Sequence, residues 1–260
     1  MRALILTAVF ALAGFLGFDT IEAKLVYPFD PTEVSPRQAG LDQVTAHRLQ
    51  RGDVSLVVWT APAQPGKPVI FYLHGNAGNL HARAGRFARF LARGYGLVAP
   101  AYRGSSGSGG TPSQPIIIED VRAVWNHFNN DRQNTVIYGE SLGTGVGILA
   151  LGDRAPMLLE APYTSIADVA RNSYSGIDPI IPFMKNTWQS IDFANNVINP
   201  VMIIHGTKDT LIPIEQGRLL FDAIPAPDKL FRAVPGAGHT DLWRSDVLPD
   251  MWRFLERQVP

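Results

Sequence analysis

Thr135-Val136-Ile137-Tyr138-Gly139-Glu140-Ser141-Leu142-Gly143-Thr144-Gly145 is the stretch from which the rest of the chain is read. A short strand-forming run enters a Gly-x-Ser-x-Gly pattern, and small residues (Val146-Gly147-Ile148 after Gly145) continue beyond it. Read as strand, sharp turn and helix, the pattern sets Ser141 on a strained turn that glycines on either side keep free of clashes. Such a turn lifts the hydroxyl above the sheet and points a helix amino terminus at charge developing beside it. The five-residue pattern alone is a weak signal, and the strand and helix around it supply the weight. Ser105, Ser106 and Ser108 compete for the same role, but none has a glycine two residues away on both sides. They read as part of a flexible loop between Gly104 and Gly110.

Working outward, short apolar runs alternate with longer helical stretches. Val54–Trp59, Val69–Leu73, Leu97–Ala99, Met157–Leu159, Val201–Ile204 and Leu230–Val234 join Thr135–Tyr138 as strands. Apolar character on both faces is what a parallel sheet covered by helices requires. Helices are expected at 80–93, 119–130, 142–152 and 215–224. The alternation predicts an α/β fold with a doubly wound, mostly parallel sheet, whose ligand site lies beyond the carboxyl ends of the strands. Residues 163–198 interrupt the alternation with Ile177, Ile180, Phe183, Met184 and Trp188 and no clear strand, and are expected to form a small cap insertion. Residues 19–50, rich in proline and polar residues, read as a linker entering the catalytic domain, which is taken as 24–260.

A serine nucleophile needs a base within hydrogen-bond reach. On a turn of this kind the acid and then the histidine follow the serine along the chain. Of His47, His74, His81, His127, His205 and His239, only the last two follow Ser141. His205 precedes the best acid and reads as structural, which leaves His239 in the glycine-rich loop Pro235–Thr240. Asp209, just past Val201–Ile204, is the acid that would fix the imidazole tautomer and stabilise the imidazolium. Glu160, also at a strand end, is the fallback, and Asp241 reads as a solvated turn residue. The loop Leu73–Asn79 follows an apolar strand and is expected to aim a backbone N–H at the site. Asn76 is preferred for it over Gly75, with Leu142 as the second oxyanion donor.

Composition narrows the chemistry. The 23 basic residues balance 23 acidic ones, so no basic field offers to hold a nucleic acid. The absence of cysteine removes disulfides, thiolate metal sites and cysteine nucleophiles. Neither His-Glu-x-x-His nor a phosphate loop ending in Gly-Lys-Ser/Thr occurs. No metal and no organic cofactor is called for. At the amino terminus Ala3–Phe18 is mostly apolar behind Arg2, and residues 1–23 read as a signal peptide or an uncleaved membrane anchor. The single flanking arginine favours a catalytic domain outside the cytoplasm, either membrane-anchored or secreted.

With these residues placed, the chain resembles the α/β-hydrolase superfamily, and within it the membrane-anchored α/β-hydrolase-domain proteins related to serine aminopeptidases and small esterases. The matching segments are Tyr27–Pro31, His74–Asn79, Tyr102-Arg103-Gly104, Gly139–Gly143, Glu160–Ser165, His205–Asp209 and Gly238-His239, in family order. The resemblance implies a triad of Ser141, Asp209 and His239, and oxyanion N–H groups on Asn76 and Leu142. The expected activity is hydrolysis of a small-molecule acyl substrate, a carboxylic ester or thioester. The alternatives are a peptidase and, last, a binding protein that keeps the fold without turnover.

Overall fold

The computed structural model describes residues 17–128 and 134–258. Eight strands form one sheet: β1 (Thr45–Arg51), β2 (Val54–Ala61), β3 (Val69–Leu73), β4 (Gly96–Pro100), β5 (Thr135–Glu140), β6 (Met157–Glu160), β7 (Val201–Gly206) and β8 (Lys229–Val234). Their order across the sheet is β1-β2-β4-β3-β5-β6-β7-β8. The β1–β2 and β2–β4 pairs are antiparallel, and every pair from β4 to β8 is parallel.

Successive side chains of a strand point to opposite faces, so each central strand feeds two cores. Phe71, Leu73, Ile137, Leu159 and Ile203 face one layer, made by α3 (Gln114–Phe128), α4 (Leu142–Leu151) and α6 (Ile214–Ala223). Ile70, Tyr72, Val136, Leu158 and Met202 face the other, made by α2 (Ala84–Leu91) and α7 (Leu248–Glu256). Helices on both faces bury the sheet twice, which is why its strands read as apolar runs. The doubly wound, mostly parallel sheet is the one the alternation predicts.

The linker reading of residues 19–50 does not hold. Helical residues 17–26 (α1) and β1 overlap that span. β1 escaped the pattern because it is an edge strand whose alternate residues are solvent-exposed, so it carries polar side chains such as His47, Arg48 and Gln50. The proline-rich stretch after α1 is ordered by hydrogen bonds as well as by the packing of Tyr27 and Phe29 against the core. Phe29 bridges Gly78, the Asp30 N–H donates to Gly78 O at 3.1 Å, and Asn79 Nδ2 donates to Asp30 Oδ2 at 2.8 Å.

The serine-rich loop is likewise no flexible segment. Ser105, Ser106 and Ser108 are buried. Ser108 Oγ accepts from Val57 N and donates to Ala101 O, while Ser106 Oγ accepts from Leu80 N. Hydroxyls here satisfy buried backbone groups that the loop would otherwise leave unpaired.

Residues 163–198 carry α5 (Ile166–Ser173) and two 3₁₀ turns, Ile181–Phe183 and Ile191–Asn196. They lie above the carboxyl ends of the strands beside Ser141. Most of the apolar amino-terminal run lies outside the described residues. Among those described, no helix is long and apolar enough to cross a membrane.

Candidate active site

Four strand ends converge. β5 delivers Ser141, β7 delivers Asp209, β8 delivers His239, and β3 delivers the loop bearing Asn76. The register holds these ends level: Leu73 pairs with Gly139, Glu140 with Glu160, Glu160 with Ile204, and Gly206 with Val234.

Ser141 has φ 50° and ψ −115°, a backbone conformation that a residue bearing a Cβ rarely adopts. Its N–H donates to Glu160 O at 2.9 Å, and its carbonyl accepts from Thr144 N and Thr144 Oγ1. The flanking glycines answer to close packing. A Cβ on Gly139 would stand 2.8 Å from the Thr144 Cα and the Gly143 carbonyl oxygen. The elbow therefore folds back onto the first turn of α4 with no room for a side chain.

His239 Nε2 lies 3.0 Å from Ser141 Oγ, and His239 Nδ1 lies 2.7 Å from Asp209 Oδ2. A carboxylate only accepts, so the ring proton sits on Nδ1 and Nε2 presents its lone pair to the serine hydroxyl. The Asp209 side chain is fully buried. Burial opposes its ionisation, but the neighbouring His205 ring at 3.6 Å, the hydrogen bond to His239, the charge that His239 can carry and the Ile212 N–H together hold the carboxyl well below its ordinary range. Its other oxygen accepts from Leu211 N at 3.0 Å and Ile212 N at 2.9 Å. The loops bearing Asp209 and His239 are laced together, Lys208 N donating to Ala237 O and Gly236 N to Thr207 Oγ1.

The alternatives take other partners. Glu160 pairs with Arg86 through Oε1···Nη2 at 2.9 Å and also accepts from Tyr138 and Trp243. His205 is buried with Nε2 against Ile212 O at 2.8 Å. Asp241 is half-exposed, pairs with Arg244 and caps its own turn by accepting from Gly238 N at 2.6 Å. Asn76 and Leu142 share the floor of one cavity with Ser141, and Asn76 Nδ2 donates to Val26 O at 3.3 Å, which ties the loop to α1.

Sequence reasoning missed the buried ion pairs beneath the elbow. Arg83 Nη2 meets Glu140 Oε1 at 2.9 Å beside the Arg86–Glu160 pair, and the Tyr72 hydroxyl donates to Glu140 Oε2 at 2.7 Å. Burial works against ionised Glu140, yet Arg83 and Arg86 outweigh it and hold this carboxyl low. Two arginines offset two carboxylates, so the cluster is locked without net charge. Its signal in the sequence is faint, a pair of arginines three apart on one helical face next to the Asn76 loop.

His74 lies in that loop with no exposed surface, Nδ1 2.7 Å from Gly75 O and its ring 4.2 Å from that of Tyr102. Burial first, and the Arg83 charge second, push its pKa from 6.5 down to about 3. Between those values the unfolded chain binds a proton that the native ring refuses, so native stability falls as pH falls below 6.5. At pH 5 the loss from this one residue is about 2 kcal/mol. Urea denaturation at pH 7.5 and pH 5.0 should show that much less acid destabilisation in His74→Asn than in the wild type. Parallel losses in the two proteins would rule His74 out as the source.

The main cavity has a volume of about 420 Å³, within the range of small-molecule sites. Ile177, Ile180 and Met184 line it, whereas Trp188 is fully buried and donates Nε1–H to the Tyr27 hydroxyl at 2.9 Å. The apolar residues of 163–198 thus divide between lining and packing. Among the described residues no cluster of side chains is arranged to hold a metal ion.

Comparison with known proteins places this geometry in context. No protein-family model matches the chain. The lysophosphatidylserine lipase ABHD12 of Rattus norvegicus is 29% identical over 306 residues, covering 92% of this chain and 75% of the relative. The human α/β-hydrolase domain-containing protein 17B is 26% identical over 223 residues, covering 81% and 73%. Among solved structures, the Pyrococcus furiosus esterase Pf2001 superposes with a TM-score of 0.72 at 18% identity, covering 89% of this chain and 96% of that one, a likeness of fold. With relatives matched along most of their length and the sheet shared with a solved esterase, the chain has the α/β-hydrolase fold and is similar in sequence to α/β-hydrolase-domain proteins.

Proposed function

We propose that the protein is a serine hydrolase that cleaves carboxylic esters or thioesters through an acyl-enzyme on Ser141. The observation that carries this reading is the unbroken hydrogen-bonded line from Asp209 Oδ2 through the His239 ring to Ser141 Oγ. Serine is a poor nucleophile at its free pKa, and a lone pair 3.0 Å from its oxygen is the remedy. As Ser141 Oγ bonds to the acyl carbon, its proton passes to His239 Nε2, and Asp209 steadies the resulting imidazolium. The negative charge on the carbonyl oxygen is met by the N–H groups of Asn76 and Leu142. His239 then gives its proton to the departing alkoxide or thiolate as the carbon–oxygen or carbon–sulfur bond breaks. A water molecule repeats the sequence in reverse roles, releasing the acid and restoring Ser141. A relative named as a lysophosphatidylserine lipase supports a single-chain acyl ester as the kind of substrate to try first.

The test is labelling with a fluorophosphonate probe, followed by mass spectrometry of the labelled peptide. Wild type should carry the label on the peptide containing Ser141, and Ser141→Ala should carry none. An unlabelled wild type would return the protein to the class of hydrolase folds that bind without turnover.

A further inference from the structure

One wall of the main cavity comes from a segment that the sequence reading assigned to the anchor and linker. Phe18, Ile21, Leu25 and Val26 of α1 line it, together with Ile177 and Ile180. Positions 18, 21 and 25 fall on one face of a helix, so a single stripe of α1 is turned toward the site. Ile21 and Leu25 stand at the rim, 59% and 62% exposed, on helical turns that Glu22 fastens down. The Glu22 carboxylate is buried and accepts from the N–H groups of Lys185, at 2.9 Å, and Asn186, at 2.7 Å. Asp19 pairs with the Lys185 ammonium, and Tyr27 donates its hydroxyl to Asn186 Oδ1 at 2.9 Å. α1 is therefore clamped to Lys185 and Asn186, next to Met184, which lines the same cavity.

We propose that α1 is the acyl-gauging wall of this site, and that the group it measures is one unbranched aliphatic chain lying against Phe18, Ile21 and Leu25 together with Ile177 and Ile180. The inference rests on Ser141 being the nucleophile, at the floor of the same cavity. The chemistry of the lining selects the ligand. Among the described lining residues Glu22 is the one charged side chain, and backbone N–H groups already engage its oxygens. A substrate ammonium, as a free amino-terminal residue would present, finds no unengaged carboxylate here, whereas methylenes find aliphatic surface along the length of α1. Each methylene moved from water into such surface is worth roughly a factor of four in equilibrium. A longer chain that reaches α1 thus gains specificity from it, and an acetyl group on Ser141 does not.

The experiment uses the full chain with p-nitrophenyl acetate and p-nitrophenyl decanoate, both below the concentration at which they aggregate. The readout is the ratio of kcat/KM for decanoate to that for acetate. Ile21→Trp and Leu25→Trp, at rim positions that tolerate bulk without repacking a core, should lower the ratio at least tenfold. Phe18→Ala should move the preferred chain length upward across a series of esters. Lys24→Trp puts the same bulk on an exposed position of α1 that does not line the cavity and should leave the ratio as it is. A ratio within twofold of wild type in both rim variants overturns the gauge, and so does an equal fall in Lys24→Trp. A wild type that takes no fluorophosphonate label fails differently, removing the nucleophile and with it the gauge.

Discussion

Asp209→Asn is expected to lower kcat by about 10⁴-fold on any ester the protein turns over, with KM changed little. The loss follows from hydrogen-bond polarity. Asp209 Oδ1 is held by the N–H groups of Leu211 and Ile212, so an asparagine would keep its oxygen there and turn its amide nitrogen toward His239. An amide N–H donates, so His239 Nδ1 would have to accept and the ring proton would move to Nε2. Nε2–H then faces Ser141 Oγ at 3.0 Å and has no lone pair with which to take its proton. The variant keeps its shape and loses its base. Because the carboxyl is held below its ordinary range in the native protein, it stays ionised through neutral and mildly acid pH, so a fall in wild-type activity near pH 6 does not originate at Asp209. Single-turnover and steady-state kinetics with a p-nitrophenyl ester, beside a crystal structure or melting curve of the variant, measure the effect. A folded Asp209→Asn within tenfold of wild type would remove this residue from the proposed triad.

Gly143→Ala is expected to destabilise the protein by about 3–5 kcal/mol, far more than an alanine usually does in a helix. An added Cβ would stand 2.6 Å from the Leu73 carbonyl carbon, closer still to its oxygen, and 3.1 Å from the His74 oxygen. Those atoms are backbone, at the end of β3, and the pairing of Leu73 with Gly139 prevents them from retreating. The first turn of α4 would have to lift away, carrying the Leu142 N–H with it. Gly147 supplies the contrast, since its added Cβ would meet only the Ile137 and Leu73 side chains, at 3.4 Å. Gly147→Ala should be neutral or stabilising by a few tenths of a kcal/mol, as helix propensity favours alanine. Urea unfolding of the two variants makes the comparison. Near-equal stabilities would show that α4 is not wedged against β3.

The elements legible in the sequence are those whose cause is local or periodic. β3, β5, β6 and β7 announce themselves because burial on both faces demands uninterrupted apolar residues. β1 does not, because an edge strand facing solvent looks like polar loop, and the eight described residues of α1 after Phe18 have too little length to show a period against the proline-rich stretch that follows. α7 is hard to see for the same reason, a nine-residue amphipathic helix too short to show a period. The serine loop was misread because hydroxyls bonded to buried backbone are indistinguishable, in composition, from hydroxyls in water.

What the sequence determined by itself was the strand–elbow–helix around Ser141 and the sheet that carries it, since steric exclusion at Gly139 and Gly143 and two-sided burial act within or between neighbouring runs. What only the tertiary structure decided was which distant groups meet. Asp209 and Glu160 both stand at strand ends, and the difference between them is that Arg86, arriving from α2, occupies Glu160, while the β8 loop brings His239 to Asp209. The same holds for α1, whose apolar stripe has meaning only against the cavity it lines. A hydrogen bond reaches about 3 Å, and no property of one strand end records what another, a hundred residues away, will set at that distance.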